Sequence, residues 1–253
     1  MIDDDVAALG RLIADAERIL VFTGAGISTA SGIPDYRGPQ GVWNTRRPVQ
    51  YQDFMTSAEA RLTSWRQKLE DHDELAGAGP NAAHIAAVEL ERAGKLLMLV
   101  TQNVDGLHAV AGTSPDRLVE IHGTARLVEC QTCVARDDAA DALAEFRRTG
   151  VPPECGCGGY LKAATISFGQ PMRPADVVRA MTAADRADLA ISLGSSLVVY
   201  PAADIPIRAT AHGAPYASVN LGPTDHDGDH RVTLRIEGDV TDVFPAAVAH
   251  ATG

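Results

Sequence analysis

The fold turns on one stretch, Ile19-Leu20-Val21-Phe22-Thr23-Gly24-Ala25-Gly26-Ile27-Ser28, in which a short β-branched and aromatic run breaks directly into a glycine turn. An unbroken apolar run of this length, without polar alternation, predicts a strand buried on both faces. The glycines after it predict a tight turn from strand into helix. Upstream, Val6, Leu9, Leu12, Ile13 and Ala16 recur at helical spacing behind Asp3, Asp4 and Asp5, acids that favour a helix start. Downstream, the same short apolar form returns at 96–100, 118–121, 189–193 and 216–219. Between these runs, the alanine-rich segments 81–93, 174–185 and 201–212 carry Leu, Ile or Val at helical spacing. The alternation predicts an α/β fold, a Rossmann-like parallel sheet with helices on both faces.

Two segments interrupt it. Residues 38–80 contain Trp43 and Trp65 and read as helical without a strand; residues 125–160 hold all four cysteines, between strand-like Arg126-Leu127-Val128 and 161–166. Both are expected to be insertions forming a small lobe, one helical and one zinc-binding, which leaves 1–37, 81–124 and 161–253 as the sheet domain. Cys130-x-x-Cys133 followed by Cys155-x-Cys157 suits a closed tetrahedral zinc site of four soft thiolates, structural and without chemistry of its own. Four reduced, unmetallated cysteines are the alternative reading.

The chain has 253 residues, 45% of them hydrophobic and 22% charged, with a net charge of -11. Such an acidic chain is not held on nucleic acid by general phosphate attraction. Its longest apolar runs fall far short of the ~20 residues of a membrane span. The start, Met1-Ile2-Asp3-Asp4-Asp5, is acidic where a leader would be basic, so a cytoplasmic protein is expected. Within 36–68 the bases Arg37, Arg46, Arg47, Arg61, Arg66 and Lys68 face only Asp53 and Glu59, a local +4. This strip reads either as a positive lining for an anionic ligand or as a solvated helical face.

The glycine turn alone fits a phosphate cradle or a plain connector. It is not the dehydrogenase fingerprint, because the third glycine position is Thr29 and the second strand ends Val100-Thr101-Gln102-Asn103 without an acid. Further blocks follow in order: Gly32-Ile33-Pro34-Asp35-Tyr36-Arg37-Gly38, Thr101-Gln102-Asn103-Val104-Asp105-Gly106-Leu107-His108, Ile121-His122-Gly123, Gly194-Ser195-Ser196-Leu197 and Val219-Asn220-Leu221-Gly222. Together with the cysteine pairs, these blocks resemble the sirtuin family of NAD-dependent protein-lysine deacylases, from Ala16 to Pro245. Tyr36, where most deacetylase members have Phe, with Arg46-Arg47-Pro48 and Gly222-Pro223-Thr224, is similar to the class II branch.

The resemblance implies NAD+ as co-substrate and an acyl-lysine protein or peptide as substrate, with the acyl group passing to ADP-ribose and nicotinamide leaving. It implies Gly24, Ala25, Gly26 and Thr29 at the diphosphate, joined by Gly194, Ser195 and Ser196. Ile33 would close the nicotinamide pocket with Asp105 on the carboxamide, Arg37 would face the diphosphate as a cation, and Pro34, Asp35, Tyr36 and Val104 would be further cofactor contacts. A surface ion pair is the alternative reading of Arg37, which its place within the block disfavours. Asn220, Leu221 and Gly222 would take the adenine ribose, and Gly238, Asp239 and Val240 the adenine edge. Asn103 would position the attacked ribose, Gln102 would hold a ribose hydroxyl, and His122 would be the base, an imidazole being suited to proton transfer near neutral pH.

Of the other histidines, His84 and His108 read as hydrogen-bonded structural groups, and His72, His212, His226, His230 and His250 as solvated. Ile166, Phe168 and Gly169 resemble the strand that pairs with the substrate backbone, and an ordinary sheet strand would carry the same residues. Here Ala163, Ser167 and Gln170 depart from the family's Pro, large residue and acid. The Tyr and Arg pair of the demalonylating branch is absent between 50 and 75. Acetyl or a longer apolar acyl, lipoyl included, is therefore the expected group. Mono-ADP-ribosyl transfer from the same site and a non-catalytic NAD or ADP-ribose sensor are the alternatives, and the working unit is expected to be a monomer.

Overall fold

A computed structural model describes residues 2–38, 41–75 and 77–252. Its centre is β1 (Ile19–Thr23), buried at every residue and flanked in parallel by β2 (Leu96–Thr101) and β7 (Leu189–Leu193). Strands β3 (Leu118–Glu120), β8 (Tyr216–Asn220) and β9 (Leu234–Glu237) complete a six-stranded parallel sheet of order β3-β2-β1-β7-β8-β9. Strand order reverses around β1, so the ends of β1, β2 and β7 open a crevice where an open α/β sheet takes its ligand.

One face of the sheet carries α1 (Ile2–Asp15), α4 (Ala82–Arg92) and α9 (Val240–Thr252), packed through Leu9, Ile13, Leu90 and Phe244. The other carries α7 (Pro174–Arg186) and α8 (Asp204–Arg208), where Ala180, Ala183, Ala184 and Ala203 bring helix backbone close to the strands. Asn81 and His84 cap α4 reciprocally, Asn81 Oδ1 accepting from the Ala83 N–H and His84 Nδ1 from the Asn81 N–H. The short α5 (Leu107–Ala111) carries His108, whose Nε2 meets Thr23 Oγ1 at 3.1 Å. Both histidines are structural, as expected. His226 is not solvated: it is buried with Nδ1 3.0 Å from the Tyr216 hydroxyl, because its polar loop folds back over β8.

The small lobe combines α2 (Tyr51–Thr56) and α3 (Ala58–Leu75) with an antiparallel sheet of β4 (Gly123–Cys130), β5 (Arg136–Asp138) and β6 (Leu161–Thr165), and with α6 (Ala139–Thr149). The two interrupting segments share one core of Phe54, Trp65, Val128, Leu143 and Phe146. Trp65 Nε1 donates to the Leu161 carbonyl at 3.1 Å, and the Arg61 guanidinium sits 3.8 Å over Tyr160. The boundary expected between 160 and 161 runs through this sheet, since β6 hydrogen-bonds to β4 and belongs beside it. Residues 201–212 form a single α-turn and a 3-10 turn rather than one helix, while β9, α9 and α6 are elements the sequence reading did not anticipate. Among the described residues, no helix is long and apolar enough to cross a membrane.

Candidate active site

The crevice at the strand ends continues between sheet domain and small lobe as one cleft of about 1860 Å³, well above the ~300–1,000 Å³ of an ordinary small-molecule pocket. At its centre, the chain leaving β1 forms two 3-10 turns, 25–27 and 29–31, rather than the α-helix the glycine turn suggested. The Gly24 N–H donates to the Leu193 carbonyl at 3.0 Å and the Gly26 N–H to the Gly194 carbonyl at 2.8 Å. A Cβ on Gly26 would lie 2.9 Å from Gly194, and one on Gly194, where φ is +61°, would lie 2.5 Å from the Ile27 nitrogen. These glycines let the loops after β1 and β7 touch.

Beneath them lies a buried polar group. Ser28, Asn103 and Asp105 are 1%, 5% and 7% exposed. Ser28 Oγ donates to Asp105 Oδ2 at 2.8 Å and accepts from Asn103 Nδ2 at 3.1 Å. Asp105 Oδ1 takes the Leu107 N–H, and Arg126 Nε donates to the Asp105 carbonyl at 3.1 Å. The amide of Asn103 is thereby fixed in orientation. Ser28 was quoted within the glycine block without being assigned a role; a hydroxyl directly after the turn is its only sequence signal.

His122 follows β3 and its Nδ1 lies 3.2 Å from the Gln102 carbonyl. A carbonyl only accepts, so Nδ1 carries the proton and Nε2 keeps a free lone pair. Burial holds the imidazole below its ordinary value, with Arg37 adding to the effect and the Gln102 contact opposing it. The ring is therefore neutral at pH 7. Gln102 Nε2 reaches Ser195 Oγ at 2.8 Å, linking the β2 and β7 loops. Two residues before His122, burial and then Asp105 push the Glu120 carboxyl up to about 7.

Across the cleft, Arg37 stacks 4.1 Å over Trp43, whose ring is 5.0 Å from Tyr36 and 5.3 Å from Phe168. Burial, then Asp71 and Asp105, push the Tyr36 hydroxyl up to about 12. Asp35 spends Oδ1 on the Gly38 N–H. The basic strip is not a continuous positive lining: Arg46 pairs with Asp71 and Glu70, Arg61 covers Tyr160, and Lys68 is buried with Nζ on the Ala125 carbonyl.

Most of the expected residues line the cleft, including Thr29, Val104, Ser196, Leu221, Gly222, Val240 and Ile166. Ile33, Pro34, Gly238 and Asp239 are not in its wall. Asp239 instead caps α9, Oδ1 accepting from the Thr241 N–H at 2.8 Å. Asn220 turns its amide onto the Leu221 and Gly222 carbonyls, in a loop clamped by Arg235.

The four cysteine sulfurs all lie within 4.8 Å of one another, with 3.5 Å between Cys130 and Cys157 and 3.7 Å between Cys133 and Cys155. A Zn–S bond of ~2.3 Å sets a tetrahedral edge of about 3.8 Å, so the donor set fits zinc. The N–H groups of Cys133 and Thr132 pull the Cys130 thiol down to about 6. The Gly159 N–H acts the same way on Cys157, but the other three sulfurs outweigh it and push that thiol up to about 12. Four soft donors at this spacing suit a cation between them.

Residues 24–201 match the family model described as the Sir2 family. The chain belongs to the Sir2 family. A relative named NAD-dependent protein deacetylase 1, from Bradyrhizobium diazoefficiens, is 40% identical over 230 residues, covering 91% of each chain. A structure solved for the mechanism and regulation of Sir2 enzymes is similar at a TM-score of 0.86 and 35% identity, over 98% of each chain. Another, of a Sir2 protein with deacetylated p53 peptide and 3′-O-acetyl ADP-ribose, is similar at 0.84 and 30%, over 96% of each. Within the Sir2 family pattern, the residues that sequence reasoning left out are those acting through others: Ser28, Trp43, Lys68 and Arg126. Single serines, lysines or arginines at unremarkable spacings give no sign of what they touch.

Proposed function

We propose that the chain is an NAD-dependent protein-lysine deacylase that moves the acyl group of an acyl-lysine peptide to ADP-ribose and releases nicotinamide. The observation that carries this reading is the neutral His122, its Nδ1 committed to Gln102 and its Nε2 free, beside the buried Ser28–Asn103–Asp105 group. Zinc, held by Cys130, Cys133, Cys155 and Cys157, stabilises the small lobe. NAD+ when bound supplies the glycosidic bond that breaks and the ribose hydroxyl that receives the acyl group.

The Gly24, Gly26 and Gly194 N–H groups hold the loops together, which leaves the Ala25 N–H and the Ser195 and Ser196 hydroxyls to donate to a diphosphate. Asn103, oriented by Ser28, holds the ribose at the carbon to be attacked, and Asp105 accepts from a carboxamide. His122 Nε2 removes the proton of the accepting hydroxyl, which at neutral pH is too weak a nucleophile without a base. Ile166, Phe168 and Gly169 pair with the substrate backbone: the Phe168 and Gly169 N–H groups make no hydrogen bond among the described residues. Such main-chain pairing tolerates many peptide sequences.

In this reading 1–37, 81–124 and 161–253 form the cofactor half, apart from β6, which pairs with β4 in the lobe built from 38–80 and 125–160. We propose a monomeric unit, and the acidic balance of the chain favours no nucleic-acid partner. Four thiols held reduced for zinc suit a cytoplasmic setting. His122→Tyr tests the base. It should keep ADP-ribose affinity within about threefold and lower deacylation at least ~10²-fold; near-normal turnover would remove His122 from that role.

A further inference from the structure

Lys162, the second residue of β6, is 3% exposed. Its Nζ lies 2.6 Å from the Thr165 carbonyl, 3.1 Å from Ser167 Oγ and 3.1 Å from the Ala163 carbonyl. An ammonium has three N–H bonds, and here all three are used on a span of five residues that leads out of β6. No carboxylate neutralises it. Glu129, the one anion with an electrostatic influence on it, is held between Arg136 at 2.7 Å and Arg173 at 3.0 Å, while Arg173 and Lys68 oppose its charge.

Burial draws the amine down to about 8, which leaves it protonated at neutral pH but shows the site to be unfavourable for a cation. A methionine of similar length would pack there without that desolvation cost. What the ammonium does, and an apolar side chain could not, is gather three acceptors. Around it the loop is closed by further bonds. Ile166 N–H donates to the His122 carbonyl at 2.7 Å, Gln170 N–H to the Ser167 carbonyl at 2.9 Å, and Ser167 N–H to Gln170 Oε1 at 3.1 Å. The departure at 167 now has a reason: a small hydroxyl residue reaches Lys162. With those groups occupied, the Phe168 and Gly169 N–H groups are left unpaired, on a segment where Phe168 is 40% exposed.

We propose that Lys162 is a positioning residue for substrate, holding the 163–167 turn so that the unpaired Phe168 and Gly169 N–H groups are presented to the acyl-lysine peptide. The proposal rests on the deacylase reading above. It is tested with zinc-loaded full-length protein and an acetyl-lysine peptide, measuring KM for peptide and for NAD+ separately from kcat. Lys162→Met should raise peptide KM about tenfold or more, with kcat within about threefold and NAD+ KM within about twofold. Ser167→Ala removes one acceptor and should move peptide KM in the same direction by about two- to fivefold. If Lys162→Met does not fold, Ser167→Ala alone decides. Unchanged peptide KM in the folded variants, or peptide and NAD+ KM rising together as in general loosening, would overturn the proposal. A wild-type protein that binds NAD+ but deacylates no peptide would instead sink the deacylase reading, and this proposal with it.

Discussion

Single residues carry the chemistry, and their partners decide how they act. Ser28 is buried with its one hydroxyl spanning Asp105 and Asn103. Ser28→Ala should therefore cost stability by about 1–3 kcal/mol, the range for leaving buried polar partners unmatched, and lower kcat more than it raises NAD+ KM. An unchanged kcat would show that Asn103 does not need this support. With His122 as the proposed base, its titration should set the acid limb of the pH–rate profile. Burial lowers its pKa below the ordinary 6.5, so the neutral base predominates at pH 7 and is lost as pH falls through that lowered value. The limb should lie below pH 6.5 and persist in Glu120→Gln, since proton transfer is assigned to His122 and not to Glu120, whose carboxyl burial pushes up to about 7. A limb that disappears with Glu120 would assign the titration to the carboxyl instead. His122 stands out in the sequence as the histidine between a strand and a glycine; Ser28 and Lys162 do not, because their contacts are made between residues distant in sequence or around a turn.

At the scale of elements, the glycine turn and the loop after β7 behave as one unit. Gly194→Ala would place a methyl 2.5 Å from the Ile27 nitrogen at a residue with φ +61°. We expect a destabilisation of about 1–3 kcal/mol for the strained backbone and at least tenfold weaker ADP-ribose binding by calorimetry; affinity equal to wild type would mean the two loops act independently. Strands β1, β2, β7 and β8 could be read from their apolar runs because both faces of each are covered. Strand β9 could not: it is a four-residue edge strand, Leu-Arg-Ile-Glu, behind a polar loop, and its pairing with β8 is what defines it. Strand β6 read as a strand but not as a member of the small sheet, since partner choice is a tertiary property.

For the whole molecule, the two insertions meet in one small core, so neither can be stable without the other. Trp65 is 1% exposed and packs 5.6 Å from Phe146, and Trp65→Ala should destabilise the lobe by about 3–5 kcal/mol. Metal analysis of native protein should find about one zinc per chain, and zinc near zero would refute the four-cysteine site. The overall charge of -11 was legible from composition, but the local +4 over 36–68 misled, because Glu70 and Asp71 lie just outside that window and fold back onto Arg46. The central claim is that this cleft couples NAD+ consumption to removal of an acyl group from lysine. It is tested most directly by mass spectrometry of zinc-loaded protein incubated with NAD+ and an acetyl-lysine peptide. The account predicts deacetylated peptide, nicotinamide and O-acetyl-ADP-ribose in equal amounts. Unchanged NAD+ and peptide, or ADP-ribose attached to protein with the acetyl group still on lysine, would contradict it.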